Sequence, residues 1–418
     1  MTASISQPAG TPGPRPTTLS PLKHRLFLAI WFGSLLANFG NAVQSVGAAW
    51  LLTELRQSAD MIALVQSAAS LPIMLLALPA GAFADVHDRR RVMLGAQLSM
   101  LAVSILLALL ASQHQATPWA VIGLTVALAC GVAFFNPAIQ ASIGDIVPRA
   151  ELAGAVALNI LAFNVARSLG PALGGVIVAV GGSSMAFVIN AASYVAVIVV
   201  LLLWRPKVSL SGVKSPMGKA IGDGLRFVFH SSPVRTIIAR AFTFTMAGSA
   251  AWALMPLVAR DMIHGGSVVF GLLLGALGVG AVIGAASATW FRQRYSSEAI
   301  IRGAGLIYGC GCLLVALKPG LWPTLALLVV AGAGWVQALS GFSVAGQLWS
   351  PRAIVGRVTA IVSSVTFGGI ALGSWLWGHV ASGHGIQMTI AASGALMVVL
   401  PLIGLWLPMP RHEDAADR

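Results

Sequence analysis

Charge is what this chain has least of. Of its 418 residues only 9% are Asp, Glu, Lys or Arg, while 57% are hydrophobic. A soluble domain carries about 25% charged residues because its surface faces water. A chain of this length with so few cannot cover a water-exposed surface, so a soluble globular fold is excluded and lipid is the solvent. Acids are scarcer than bases, 12 against 25. None lies deep in an apolar run: Glu54, Asp60, Asp85, Asp145, Asp261 and Glu298 all fall at the ends of runs or between them. The three cysteines, Cys130, Cys310 and Cys312, sit inside apolar runs. Two positions apart on a helix, Cys310 and Cys312 point to different sides and make a poor disulfide. No zinc-type spacing occurs, so the thiols read as reduced and structural. The chain also lacks the Gly-x-x-x-x-Gly-Lys-Ser/Thr loop that cradles nucleotide phosphates. No Ser/His/Asp arrangement or metal cluster is apparent, and His379 and His384 stand alone. No enzyme, cofactor or metal is expected.

What is abundant is apolar sequence. A spanning helix needs roughly 20 mostly apolar residues. That rule predicts twelve spans, near 25–53, 61–84, 92–112, 118–141, 152–180, 184–204, 236–259, 269–291, 299–317, 322–346, 354–381 and 386–408. Residues 1–21 are rich in Pro, Thr, Ser and Gly and read as a disordered tail. The apolar run after them is too long for a signal-peptide core, so no cleavage is expected. The longest interior hydrophilic stretch, 205–235, divides the chain into six-helix bundles over 22–204 and 236–408, with a second tail at 409–418. The expected class is an all-α membrane protein with two pseudo-symmetric bundles.

Orientation follows from Lys and Arg. With the N-terminus inside, only Arg56, Arg260 and Lys318 fall on the outer side, and Arg167 alone falls within a span. The rest lie in cytoplasmic segments, so both termini are expected inside the cell and the protein in the inner (plasma) membrane. The net charge of +13 is explained by this topology and by anionic lipid headgroups. Scattered over many short loops, it does not make a nucleic-acid surface.

The two halves share traces of a repeat. Pro148-Arg149-Ala150 matches Pro351-Arg352-Ala353, Gly154 and Val156 match Gly356 and Val358, and Gly170 and Gly175 match Gly373 and Gly378, all at offsets of 202 or 203. Duplicated halves with a site between them suit alternating access, because one can rock against the other.

Two motifs stand out. The first joins spans two and three: Gly81-Ala-Phe-Ala-Asp85-Val-His-Asp88-Arg89-Arg90-Arg91. A small residue permits close packing at the helix end, and an acid then precedes an arginine run at the membrane edge. This resembles the cytoplasmic loop signature of the major facilitator superfamily, Gly-x-x-x-Asp-Arg-x-Gly-Arg-Arg, with Val86 in place of Arg and Asp88 in place of Gly. Together with Ala49-Trp50-Leu51-Leu52-Thr53-Glu54-Leu55, Leu71-Pro72 and Leu78-Pro79-Ala80-Gly81, it resembles the efflux branch that includes the enterobactin exporter. The resemblance implies a cytoplasmic latch that closes in the outward-facing state. Asp85 would face Arg357 at the start of span eleven, and Arg89 would pair with Asp145. Carboxylate–guanidinium bonds at a partly desolvated edge can bias a two-state equilibrium and still break.

The second motif is Arg167-Ser-Leu-Gly170-Pro171-Ala-Leu-Gly174-Gly175. It resembles the antiporter signature of the superfamily's exporters, ending Gly-Pro-x-x-Gly-Gly. Proline removes a backbone hydrogen bond and glycines admit close helix contact. A bent, tightly packed helix of this kind can seal one state against leak.

Arg167 lies about 22 Å into its span at 1.5 Å per residue. A lone arginine at that depth costs at least ~2.5 kcal/mol, so it must face the bundle interior, either on substrate or in a structural hydrogen-bonding role. Asn159 and Asn164 precede it. Asn38, Asn41 and Gln44 share one face of span one, and such amides should line a cavity or another helix. Asn136 and Asn190 are candidates for the same lumen, and Trp252, Trp335 and Gln337 for further contacts. The resemblance implies a monomeric exporter of amphipathic small molecules, drugs or siderophore-like metabolites, exchanging them for protons. An importer of the same fold and a membrane-embedded enzyme or assembly factor are the alternatives. The antiporter-like motif argues against the first, and the lack of a reactive cluster against the second.

Overall fold

The computed structural model describes residues 17–204, 217–351, 354–402, 404 and 408–409, apart from the side chains of residues 85, 217–221 and 223. Among these residues the fold is all-helical, and ten helices are long and apolar enough to cross a membrane. They are α1 (Arg25–Glu54), α2 (Ala59–Val86), α3 (Arg89–Ser112), α4 (Pro118–Ile146), α5 (Leu152–Leu203), α7 (Ser232–Leu257), α8 (Ser267–Arg294), α9 (Ser297–Ala316), α10 (Leu321–Leu348) and α11 (Val355–His384). Between them lies a 14-residue helix, α6 (Met217–His230), and after them the shorter apolar α12 (Ile386–Val399).

α5 covers the stretch in which two spans are expected. At 1.5 Å per residue a straight helix of 52 residues would reach about 78 Å, far beyond a hydrocarbon core of about 30 Å. It breaks at Gly182, whose φ of 70° and ψ of 177° are accessible to glycine because it has no Cβ. The result is two helical segments, 152–181 and 183–203. Helix starts follow local chemistry. The Thr117 hydroxyl accepts from Ala120 N ahead of Pro118, and the Ser296 hydroxyl accepts from Ala299 N at the head of α9, each satisfying a donor that the first turn leaves open.

The expected central loop is partly structured. α6 occupies 217–230 and the next helix begins at Ser232 rather than near 236. Val228 is buried with Val234, Val358, Ile361 and Val362, with Leu78 of α2 against the same cluster. The polar residues of this stretch masked the apolar face that anchors it. The expected N-terminal tail is also shorter. Ser20–Lys23 form a 3-10 turn with Ser20 and Pro21 buried, and Thr18 packs on Gly154. The rest of that tail, residues 1–16, lies outside the described residues, as do 205–216 of the loop and 410–418.

Helices approach one another through glycine and alanine, as expected where lipid removes the hydrophobic drive and close contact supplies the attraction. α1 lies along both segments of α5. A Cβ on Gly33 would meet Val197, and one on Gly47 would meet Ala186. α2 and α3 pack on α4, and α3 on α5; among the later helices α7 packs on α11, α8 and α9 on α10, and α9 on α12. Two further pairings cross between these groups: α5 with α8, and α2 with α11.

Candidate functional site

The α5–α8 seam is built from backbone. A Cβ on Gly175 would run into Ser267 O and lie 3.0 Å from Gly271 Cα, and one on Gly271 would lie 2.5 Å from Pro171 O. Gly170 and Gly174 face the other way, onto Ala42 and Val43 of α1. The Gly-Pro-x-x-Gly-Gly stretch therefore clamps α5 between α1 and α8. The Ser168 hydroxyl donates across the seam to Gly278 O at 2.8 Å.

Arg167 stands beside that contact. Its backbone touches Gly278, and its guanidinium carbon lies 5.0 Å from the centroid of the Trp252 ring on α7. The side chain is half-buried, and among the described residues it has no ion pair or hydrogen bond. Trp252 Nε1 is buried without a partner. The ring continues into an aromatic cluster. Trp335 lies 6.2 Å from Trp252, 5.2 Å from Tyr308 and 5.4 Å from Phe244. The cluster surrounds Gly248, where a Cβ would sit 2.6 Å from the Trp335 ring. Gln337 is turned away, donating to Gly284 O at 3.0 Å and Ser287 Oγ at 3.1 Å.

The amides divide into two sets. Asn190, fully buried on the second segment of α5, donates to Gln44 Oε1, to Ser104 Oγ at 3.1 Å and to Tyr194 Oη at 3.1 Å. The Ser104 hydroxyl donates to Gln44 Oε1 at 2.5 Å, and the Tyr194 hydroxyl to Asn41 Oδ1. This closed network ties α1, α3 and α5 together. Gln44 and Asn190 are therefore packed between helices and not in a lumen, because each finds its partners inside the bundle. Asn38, Asn159 and Asn164 are half-buried and Asn136 is exposed, and their side chains have no partner among the described residues. These four keep their hydrogen-bonding capacity free.

The loop between α2 and α3 works as a set of helix ties. Asp88 caps α3, accepting from Arg90 N at 2.9 Å and Arg91 N at 3.2 Å. Arg89 Nη1 donates to Ala141 O at 2.8 Å and Asp145 Oδ2 at 2.9 Å. Arg90 binds the free carbonyls at the end of α5, Leu201 O at 2.7 Å and Leu202 O at 2.9 Å, where cations are favoured. The Asp85 side chain lies outside the described residues. Arg357 packs its Cβ 3.2 Å from the position a Cβ on Gly224 of α6 would take. Gly81, expected to pack closely at its helix end, and Gly356 have open space where a Cβ would be. By contrast the opposite ends of these helices are joined. Arg260 donates to Thr53 O at 3.1 Å, the Ser382 hydroxyl to Asp60 Oδ1 at 3.0 Å, and Trp50 stacks on Phe270 at 6.1 Å. A Cβ on Gly378 would meet Ala63 Cβ at 2.6 Å.

A third cluster was not anticipated. Arg240, 6% exposed on α7, pairs with Glu298 at the start of α9. Glu298 also accepts from Arg302 Nε at 2.6 Å and from Met409 N at 2.8 Å. The i, i+4 spacing of Glu298 and Arg302 was a readable signal. The partner 58 residues away was not.

Comparison with known proteins agrees with this architecture. The model of the transmembrane secretion effector family matches residues 16–418. The multidrug efflux pump Tap of Mycolicibacterium fortuitum is 27% identical over 94% of this chain and 98% of its own length. The staphyloferrin A transporter of Staphylococcus aureus is 26% identical over 60% of this chain and 63% of its own length. Among solved structures, a bacterial homologue of the lysosomal transporter Spinster, inward-facing and unoccupied, superposes with a TM-score of 0.72 at 16% identity, covering 95% of this chain and 97% of that one. A D-xylose–proton symporter superposes at 0.73 with 13% identity, covering 93% of this chain and 98% of that one. These structures share the fold. The chain is a multi-pass transporter, not an enzyme, and belongs to the transmembrane secretion effector family of the major facilitator superfamily.

Proposed function

We propose that this protein exports amphipathic small molecules by alternating access, in exchange for protons. In this reading it spans the plasma membrane twelve times, with 22–204 and 236–408 as pseudo-symmetric bundles, both termini cytoplasmic, and works as a monomer. The break at Gly182 and the apolar Ile386–Leu402 supply the two spans beyond ten. The repeat supports the halves. Gly170 packs on α1 and Gly373 on α7, while Gly175 packs on α8 and Gly378 on α2. Matched glycines thus make matched contacts.

The observation that carries alternating access is the difference between the ends. Gly175, Gly271 and Gly378 in the seams are filled by the facing helices, whereas Gly81 and Gly356 at the end read as cytoplasmic face open space. Closing that end would bring Gly81 and Asp85 toward Arg357, with Arg89 and Asp145 holding the loop in place. Export direction rests on the efflux pump relatives and on the antiporter-like stretch.

The test is accumulation of a compound panel in everted vesicles from cells lacking their own exporters. Accumulation should collapse when nigericin removes the pH gradient. Indifference to nigericin removes proton exchange, and no accumulation of any compound removes export. Asp85→Asn should abolish transport with insertion intact, and full activity would remove the latch.

A further inference from the structure

The proposed cavity has an electrostatic bias that its amides and aromatics do not share. Arg167 carries a fixed positive charge at mid-membrane depth. No Asp or Glu lies deep in any expected span, and among the described residues no carboxylate pairs with it. Its one neighbour of note, the Trp252 ring at 5.0 Å, offers the face of a quadrupole and no acceptor atom. Trp252 itself brings a second N–H donor, Nε1, buried without a partner. Five guanidinium N–H groups therefore stack on an indole whose own N–H has no partner, and among the described residues no carboxylate pairs with either. Both sit at the junction between α5 and α7, beside the α5–α8 seam, where the proposed halves meet.

We infer that the Arg167–Trp252 junction is the anion subsite of the substrate cavity, and that this transporter selects amphipathic molecules bearing a carboxylate or similar oxyanion. A carboxylate matches the guanidinium fork with two parallel hydrogen bonds. Such bonds are strong where water is scarce, and a charge left unpaired within a membrane span is costly. The ligand anion supplies the counter-charge that the chain omits. The apolar part of the ligand would lie on the half-buried Trp252 ring, which the buried Trp335 backs, and Asn164, one turn before Arg167 and without a side-chain partner among the described residues, is available to its polar groups. Because Arg167 belongs to one proposed half and Trp252 to the other, an anion held by both donors would bind only while the halves are closed at this level.

This inference rests on the transport reading, and its test separates the two. Three fluorescent probes with one aromatic body and different heads are compared: pyrenebutyrate, pyrenebutanol and pyrenebutyl-trimethylammonium. Binding to the full-length protein in neutral-lipid nanodiscs is measured by fluorescence anisotropy, and accumulation in everted vesicles is measured in parallel. Pyrenebutyrate is expected to bind about tenfold or more tightly than the alcohol, and the ammonium probe weakest. Arg167→Gln should reduce the anion preference to within about twofold, and Arg167→Lys, which keeps the charge without the fork, should retain part of it. Equal binding of the three probes by the wild type, including no binding of any, overturns the anion subsite. So does a preference that survives in a monodisperse Arg167→Gln protein. Transport of the alcohol without anion preference would overturn the subsite and leave export standing. Anion-selective binding without accumulation would do the reverse.

Discussion

The α5–α8 and α2–α11 seams have the same frame and different chemistry. Each is closed by a glycine at matched repeat positions, Gly175 against Gly271 and Gly378 against Ala63. Each is tied by one serine hydroxyl to a carbonyl across it, Ser168 to Gly278 O at 2.8 Å and Ser67 to Ala371 O at 2.7 Å. At the next matched pair they diverge. α5 carries Arg167, whereas the position 203 residues later on α11 is Ile370. Packing is thus duplicated because both seams must close against leak. Charge is not, because one cation within a span is already expensive and a ligand needs only one fixed handle.

That comparison can be broken at three levels. The largest effects should come from the glycines. Gly175→Ala and Gly378→Ala force a methyl onto neighbouring helices, and overpacking costs roughly 1–3 kcal/mol. Both should lower the thermal midpoint in detergent. Gly81→Ala, entering open space, should leave the midpoint unchanged or raise it, since alanine favours a helix by up to about 1 kcal/mol. It should nonetheless slow transport if the latch needs that space. A Gly81→Ala protein as unstable as Gly175→Ala would remove the distinction between the filled and open ends.

Arg167 and Ile370 come next. Arg167→Ala should reduce transport in everted vesicles by about tenfold or more, equivalent to about 1.4 kcal/mol, while Ile370→Ala should stay within about twofold. Equal losses would mean that Arg167 acts only as packing. The serines should show the smallest change. Ser168→Ala and Ser67→Ala each delete one interhelical hydrogen bond, worth about 0.6 kcal/mol within a membrane. Their midpoint shifts should match each other and fall below those of the glycine variants.

The salt bridges repeat the lesson at the helix ends. Arg89 and Asp145 are 35% and 45% exposed, so their pair contributes about 0–1 kcal/mol and can open and close. Arg240 is 6% and Glu298 19% exposed, so their attraction is less screened by water, and Glu298→Gln should cost more than Asp145→Asn. Loss of the folded fraction in size-exclusion chromatography should accompany Glu298→Gln and not Asp145→Asn.

Much of this was readable from one chain of letters. Apart from the last expected span, whose end lies partly outside the described residues, span limits agree with helix ends to within about five residues, because lipid imposes one simple length and polarity rule. The Arg89–Asp145 pairing followed from a motif whose parts sit close to two helix ends. The amides were harder. Asn38, Asn41 and Gln44 share a face, yet Asn41 and Gln44 turn into a network with Tyr194 and Asn190 and Asn38 does not. Periodicity names a face and leaves its neighbour unnamed. The helix at 217–230 was missed because its short apolar face matters only once α11 is present to cover it.

Composition and periodicity alone settled that this is a multi-pass helical membrane protein with a glycine-rich, duplicated pattern and one deep arginine. Those features follow from solvent and chain geometry, which act residue by residue. Only the tertiary structure decided which glycines are filled, that Asn190 and Gln44 satisfy each other, and that Arg167 meets Trp252 and no acid. These depend on what a second helix brings to the same place, and no local rule along the chain carries that information.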